Sequence, residues 1–82
     1  MNTPSAPSKR GSTCLYLVLL SRGAWWVERE GKSLGPFDAQ DEAQRGAFNL
    51  MEVFGDPSRP VEVWAPDDAG KMRLLWSGHI SQ

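Results

Sequence analysis

The chain has little of what most recognisable chemistry requires. One cysteine, Cys14, and one histidine, His79, occur in its 82 residues. A lone thiol excludes an intrachain disulfide and fits a reducing compartment, so a cytoplasmic location is expected. With one thiol and one imidazole at opposite ends of the chain, no tetrahedral zinc centre can be assembled. Long apolar runs are also missing: the stretch Cys14 to Leu20 falls far short of the ~20 residues that a membrane-spanning helix needs. Lys9-Arg10 ahead of that stretch gives it a faint look of a signal peptide, but Ser21-Arg22-Gly23 offers no small-x-small cleavage site. Clustered basic charge is absent too. Nine Lys and Arg face ten Asp and Glu, and both Lys9 and Arg10 lie in the first dozen residues. What remains is acidic, which argues against a phosphate-binding surface.

The chemical motifs fail one by one. Gly31-x-x-x-Gly35 lacks the Lys-Ser/Thr of a phosphate loop and does not lead from a buried strand into a helix. Asp67-Asp68 with Gly70 lacks the alternating carboxylates and closing glutamate of a calcium loop, so it reads as a polar turn. Cys14 has no nearby base, and no serine has a histidine partner in its sequence context, which leaves an inert thiol and no nucleophile. Glu28, Glu30 and Glu62 could share a sheet face with Arg29 or Arg73, but weak ion pairs on a solvated surface account for them without acid/base chemistry. A non-enzymatic chain with no cofactor, no metal site and no small-molecule ligand is therefore expected.

What the chain does have is tryptophan and apolar residues on both faces of its strands. Residues 1–12, with Pro4, Pro7 and no large apolar side chain after Met1, read as a disordered leader. Residues 13–78 form a single domain and 79–82 a short tail. Cys14 to Leu20 is a strand with Leu15, Leu17 and Leu19 on one side and Cys14, Tyr16, Val18 and Leu20 on the other. The sequence leaves open which side meets the core. Ser21-Arg22-Gly23 makes a hairpin loop into Ala24 to Glu30, where Trp25, Val27 and Arg29 oppose Ala24, Trp26, Glu28 and Glu30. Ser33 to Phe37 is a short edge strand or a connector, because Pro36 lacks an amide donor.

A helix is expected over 39–54, with Asp38 as N-cap, Asp41 in the first turn and Gly55 with Pro57 as the stop. Its apolar stripe is Ala39, Ala43, Ala47, Leu50, Met51 and Phe54, with Phe48 on the flank. Val61, Val63 and Ala65 then alternate with Glu62 and Trp64. After the polar loop 66–71, Met72, Leu74 and Trp76 alternate with Arg73, Leu75 and Ser77. The resulting architecture is α+β, with element order ββ(β)αββ: an antiparallel sheet of four or five strands with one helix on one face.

The pattern Trp25-x-Val27-x-x-x-Gly31, then Phe37-Asp38 opening a helix with Glu42-Ala43 and Ala47, then Val61-x-Val63 and Gly70, resembles a family of short bacterial domains of unknown function. The resemblance spans about Trp25 to Arg73. It implies an aromatic-x-valine strand, a small-residue helix and a final hairpin, and it implies nothing about activity. Trp26, Trp64 and a longer connection from helix to second hairpin depart from that pattern.

One helix can cover only one face of a small sheet. The uncovered face is expected to carry Tyr16, Trp26, Trp64 and Leu75, an apolar patch on the order of several hundred Å². Three readings compete for it. The patch can bury itself in a homodimer or against a protein partner, where Trp and Tyr are favoured anchors. It can stack the bases of single-stranded nucleic acid. Or the leader, the C-terminal tail or Phe48 can fold over it within one subunit.

Overall fold

The computed structural model describes residues 12–80. The expected leader therefore lies, except for Ser12, outside the described residues. Five strands and one helix follow in the order β1 (Cys14–Ser21), β2 (Ala24–Arg29), β3 (Lys32–Phe37), α1 (Gln40–Phe54), β4 (Pro60–Pro66) and β5 (Met72–His79). They form one sheet with spatial order β3-β2-β1-β4-β5. The α+β class and element order match the sequence reading, and the short third strand forms as an edge.

The sheet is mixed rather than antiparallel. β1 pairs antiparallel with β2, but β4 lies parallel to β1, with Cys14 opposite Val61 and Tyr16 opposite Val63. The cause is the helix. Two successive hairpins bring β3 into the same direction as β1, and the crossover through α1 preserves that direction when β4 docks on the free edge of β1. Both hairpin turns are tight. Arg22 and Gly23 in the first, and Glu30 and Gly31 in the second, have positive φ at consecutive residues, the backbone twist that matches paired strands.

α1 begins one residue later than its periodicity suggests. Ala39, not Asp38, is the N-cap, with an extended backbone and no side-chain cap. Instead the Glu42 carboxylate accepts from the Asp38 N–H at 3.2 Å, which serves one amide ahead of the helix. Gly55 ends the helix with φ −68°, ψ 150°, so its lack of a side chain is not needed for a left-handed turn. It is needed for space: a Cβ there would meet Ile80 and the Met51 carbonyl.

The helix packs over β1, β2 and β3. Ala43, Gly46, Ala47 and Met51 are its buried residues, and Tyr16, Val18, Val27, Val61 and Val63 are the largest side chains fully buried beneath or beside it. Each such valine contributes roughly 1.5–3 kcal/mol when removed from water. The small residues let the helix sit close, and Phe37 fills the gap: a Cβ on Gly46 would lie 2.7 Å from its ring. Phe48 closes the flank with an edge-on contact to Trp76, ring centroids 6.4 Å apart. Phe54, assigned to the stripe from its spacing, is instead 63% exposed, because the last turn runs past the part of the sheet it would cover.

One buried charge organises the end of the sheet where β1 begins. Arg59, 5% exposed, donates from Nε to the Ser12 carbonyl at 2.9 Å and from Nη2 to a Glu30 carboxylate oxygen at 2.7 Å. A longer contact of 3.4 Å reaches the Thr13 carbonyl. A planar guanidinium fork can hold several acceptors at once, so it joins the entry to β1, the β2–β3 turn and the loop before β4. Glu30 stays on the exposed side where it is expected, and it is Arg59 that reaches out of the core to it.

Candidate functional site

The face of the sheet away from α1 is where the two indoles lie. Side chains alternate across a strand, and the buried positions Cys14, Tyr16, Val18, Val27, Val61, Val63 and Ala65 mark the helix side. The opposite side is set by the pairings Leu19 with Trp26, Leu17 with Trp64, and Trp64 with Leu74. These five residues form one apolar band running obliquely from β2 to β5. Leu17, Leu19, Trp26 and Trp64 are half-buried, while Leu15 and Leu74 are 42% and 46% exposed.

Each indole is held locally. The Trp64 Nε1–H donates to a Glu62 carboxylate oxygen at 2.9 Å, and the Trp26 Nε1–H reaches the Ser21 carbonyl at 3.4 Å. With their only polar atoms occupied, both rings present carbon to solvent. A Cβ at Gly35 would lie 3.0 Å from the Trp26 ring, so this glycine lets the indole lie close against β3. Glu28, opposite Leu17, and Glu62, opposite Leu15, flank the band with carboxylates. No Lys or Arg occupies a paired position on this face among the described residues.

Of the four residues expected on this surface, Trp26 and Trp64 are there. Tyr16 is not: it points beneath the helix and is fully buried. The two faces of β1 are almost equally apolar, so its alternation carries no information about which side is covered. Leu75 sits at an irregularity. Val63 pairs with Trp76 but Trp64 pairs with Leu74, which leaves Leu75 as the extra residue of a β-bulge, 45% exposed. The bulge also shifts phase. Strict alternation would put Met72, Leu74 and Trp76 on one face, but Leu74 lies opposite Trp64 and Met72 opposite Pro66, whereas Trp76 packs against the helix-side core. Nothing in a local sequence pattern marks that shift.

The last described residue does not lie over the band. Ile80 packs on the core at Gly55, on the helix side.

The charged groups around the two hairpin turns and the loop before β4 are engaged structurally. Asp67 accepts from Arg73 Nε at 2.8 Å and from the Ala69 and Lys71 amides; these bonds, the Arg73 pair first, hold its carboxyl below the usual value. The Glu30 carboxylate raises Arg59 above its ordinary value. Burial pushes the Tyr16 phenol up, with Cys14 adding to the effect and Arg29 opposing it. The acid/base grouping of Glu28, Glu30 and Glu62 with Arg29 or Arg73 does not assemble, because Glu30 pairs with Arg59, Glu62 with Trp64, and Arg73 with Asp67. No cluster of His, Cys, Asp and Glu among the described residues could hold a metal ion. No described helix is long and apolar enough to cross a membrane.

A hollow of about 560 Å³ lies at the other end of the sheet between Trp25, Leu20, Met72 and the turn that carries Asp67 and Asp68. Of these two acids, Asp67 is already bonded to Arg73. Among the described residues neither α1 nor Ile80 packs over the band on the open face, and the leader expected over residues 1–12 lies outside the described residues except for Ser12. Comparison with protein-family models, with curated proteins and with solved structures returns no match from which a role could be borrowed.

Proposed function

We propose that this chain is a small non-enzymatic interaction module that self-associates through the open face of its sheet. The observation that carries the reading is the band Trp26, Leu19, Leu17, Trp64 and Leu74, which neither α1 nor Ile80 covers. A patch on the order of several hundred Å² is at the upper limit for a solitary soluble domain. Domains of this length bury a modest fraction of their surface and commonly depend on association for stability. A second copy laid face to face would bury both indoles, with Glu28 and Glu62 left at a solvated rim. The resemblance to short bacterial domains fits a scaffold whose pattern positions are structural and whose added indoles, Trp26 and Trp64, make this surface particular to the chain.

Single-stranded nucleic acid is the weaker occupant. Two carboxylates flank the band and no described Lys or Arg holds a paired strand position on that face, whereas strand binding needs a basic groove alongside stacking aromatics.

Sedimentation of the full chain at tens of micromolar tests the proposal. A dimer that dissociates on dilution, and a Trp64→Lys variant that stays monomeric with unchanged far-ultraviolet circular dichroism, are the expected results. A wild-type monomer throughout would refute self-association. Salt-dependent quenching of tryptophan fluorescence by an oligonucleotide would favour the nucleic-acid reading instead.

A further inference from the structure

A second unexplained surface lies on the helix side, where the C-terminal half of α1 overhangs the β2–β3 hairpin. The cleft there has a volume of about 260 Å³ and is walled by Val27, Leu34, Leu50 and Phe54. Arg29 and Lys32 stand along its strand side. These two cations are direct cross-strand partners, an arrangement that like charges disfavour. Neither forms an ion pair with a carboxylate among the described residues. Arg29 is held over the Tyr16 ring at 5.9 Å, and both its Nε and the Tyr16 hydroxyl are buried without a hydrogen-bond partner. Buried polar atoms in native proteins are nearly always satisfied. On the opposite, helical wall Phe54 is 63% exposed and the last turn holds no basic residue, while Leu34, beside the cations on the strand side, is 40% exposed. An anion entering the cleft thus finds countercharge only at the strands and carbon elsewhere.

We propose that this cleft binds a single-chain amphiphile with an anionic head, of the free fatty-acid class. The carboxylate is held by Arg29 and Lys32, and the alkyl chain lies along Val27, Leu34, Leu50 and Phe54. Two features argue for this class. The head must be anionic because the only charged side chains lining the cleft are the cations Arg29 and Lys32, and the tail must be slim and apolar because the cleft is small by the standard of ligand pockets. Binding would relieve the Arg29–Lys32 repulsion and cover the exposed Phe54 ring. The site is separate from the open face and does not depend on it.

Titration of the isotope-labelled full chain with octanoate, followed by nuclear magnetic resonance, tests this. Saturable shifts are expected at Lys32, Leu34, Leu50 and Phe54, with Trp26 and Trp64 unmoved. Octyltrimethylammonium, with the same tail and the opposite charge, should bind at least about tenfold more weakly, as should octanoate to a Lys32→Glu variant, since a charge-assisted contact is lost. Lys32 is exposed, so that variant does not endanger folding as Arg29→Gln could. Equal binding of the two head groups would overturn the proposal. So would shifts confined to the open face, indifference to Lys32→Glu, absence of saturation, or cleft signals that move with protein concentration alone and so betray a second copy.

Discussion

The two faces of this sheet are built from similar residues and end in opposite situations. On one side Tyr16, Val18, Val27, Val61 and Val63 are sealed by a helix whose small residues allow close approach. On the other, Leu15, Leu17, Leu19, Trp26 and Trp64 form an equally greasy layer that the helix does not reach. Even the tryptophans divide evenly: Trp25 and Trp76 pack against the covered core, while Trp26 and Trp64 lie on the open side. The lesson is that composition alone does not decide burial. A single helix covers one face, and the surplus of apolar residues on the other is the surface on which the proposed association rests.

Matched substitutions separate the faces. Tyr16→Ala should cost about 3–5 kcal/mol, as large aromatic truncations in a core do, and leave the domain largely unfolded at ambient temperature. Leu17→Ala, its neighbour on the open side, should cost far less in a dilute monomer, as read from urea denaturation midpoints. Similar losses for the two would erase the distinction between the faces. Next in size, Arg59→Ala should destabilise by about 3 kcal/mol, because it removes a buried guanidinium and frees the start of β1 that it holds. Arg59→Lys should recover only part of this, since an ammonium cannot span the same acceptors.

Gly46→Ala measures how tightly the helix sits. Against a helix-propensity gain of up to about 1 kcal/mol, the contact with Phe37 should produce a net loss of about 1–2 kcal/mol. Phe37→Leu in the same chain should reduce that penalty, giving a coupling energy in a double-mutant cycle. Alkaline titration probes the same layer without mutation. Burial raises the folded-state value of Tyr16 above its ordinary 10.0, so the neutral phenol's contribution is whole below that pH. It is lost as pH rises through the raised value. Thermal midpoints should fall in strong alkali, and Tyr16→Phe should blunt that fall. Smallest of all, Trp64→Lys should change monomer stability by about 0.5 kcal/mol or less while removing association.

Much of this division is legible in the sequence. The alternation in β2 and β4 places Trp25, Val27, Val61 and Val63 opposite Trp26, Glu62 and Trp64, and the 3.6-residue spacing locates α1 to within one residue. The parallel pairing of β1 with β4 was within reach as well, because a helical crossover between strands is the connection parallel neighbours require. Tyr16 was not assignable: a strand apolar on both sides does not reveal which one faces inward. The bulge at Leu75 depends on how β5 docks against β4, and no local residue signals it. Arg59 was missed for a different reason. A charged side chain between Ser58 and Pro60 reads as solvated, and only the fold brings Glu30 and the backbone of residues 12 and 13 to it.

The even split of the four indoles provides the most direct test. In a dilution series of the full chain followed by nuclear magnetic resonance, the Nε1–H signals of Trp26 and Trp64 should shift together as protein concentration falls. Those of Trp25 and Trp76 should stay in place. Four concentration-independent signals, or movement confined to Trp25 and Trp76, would contradict an association surface on the open face.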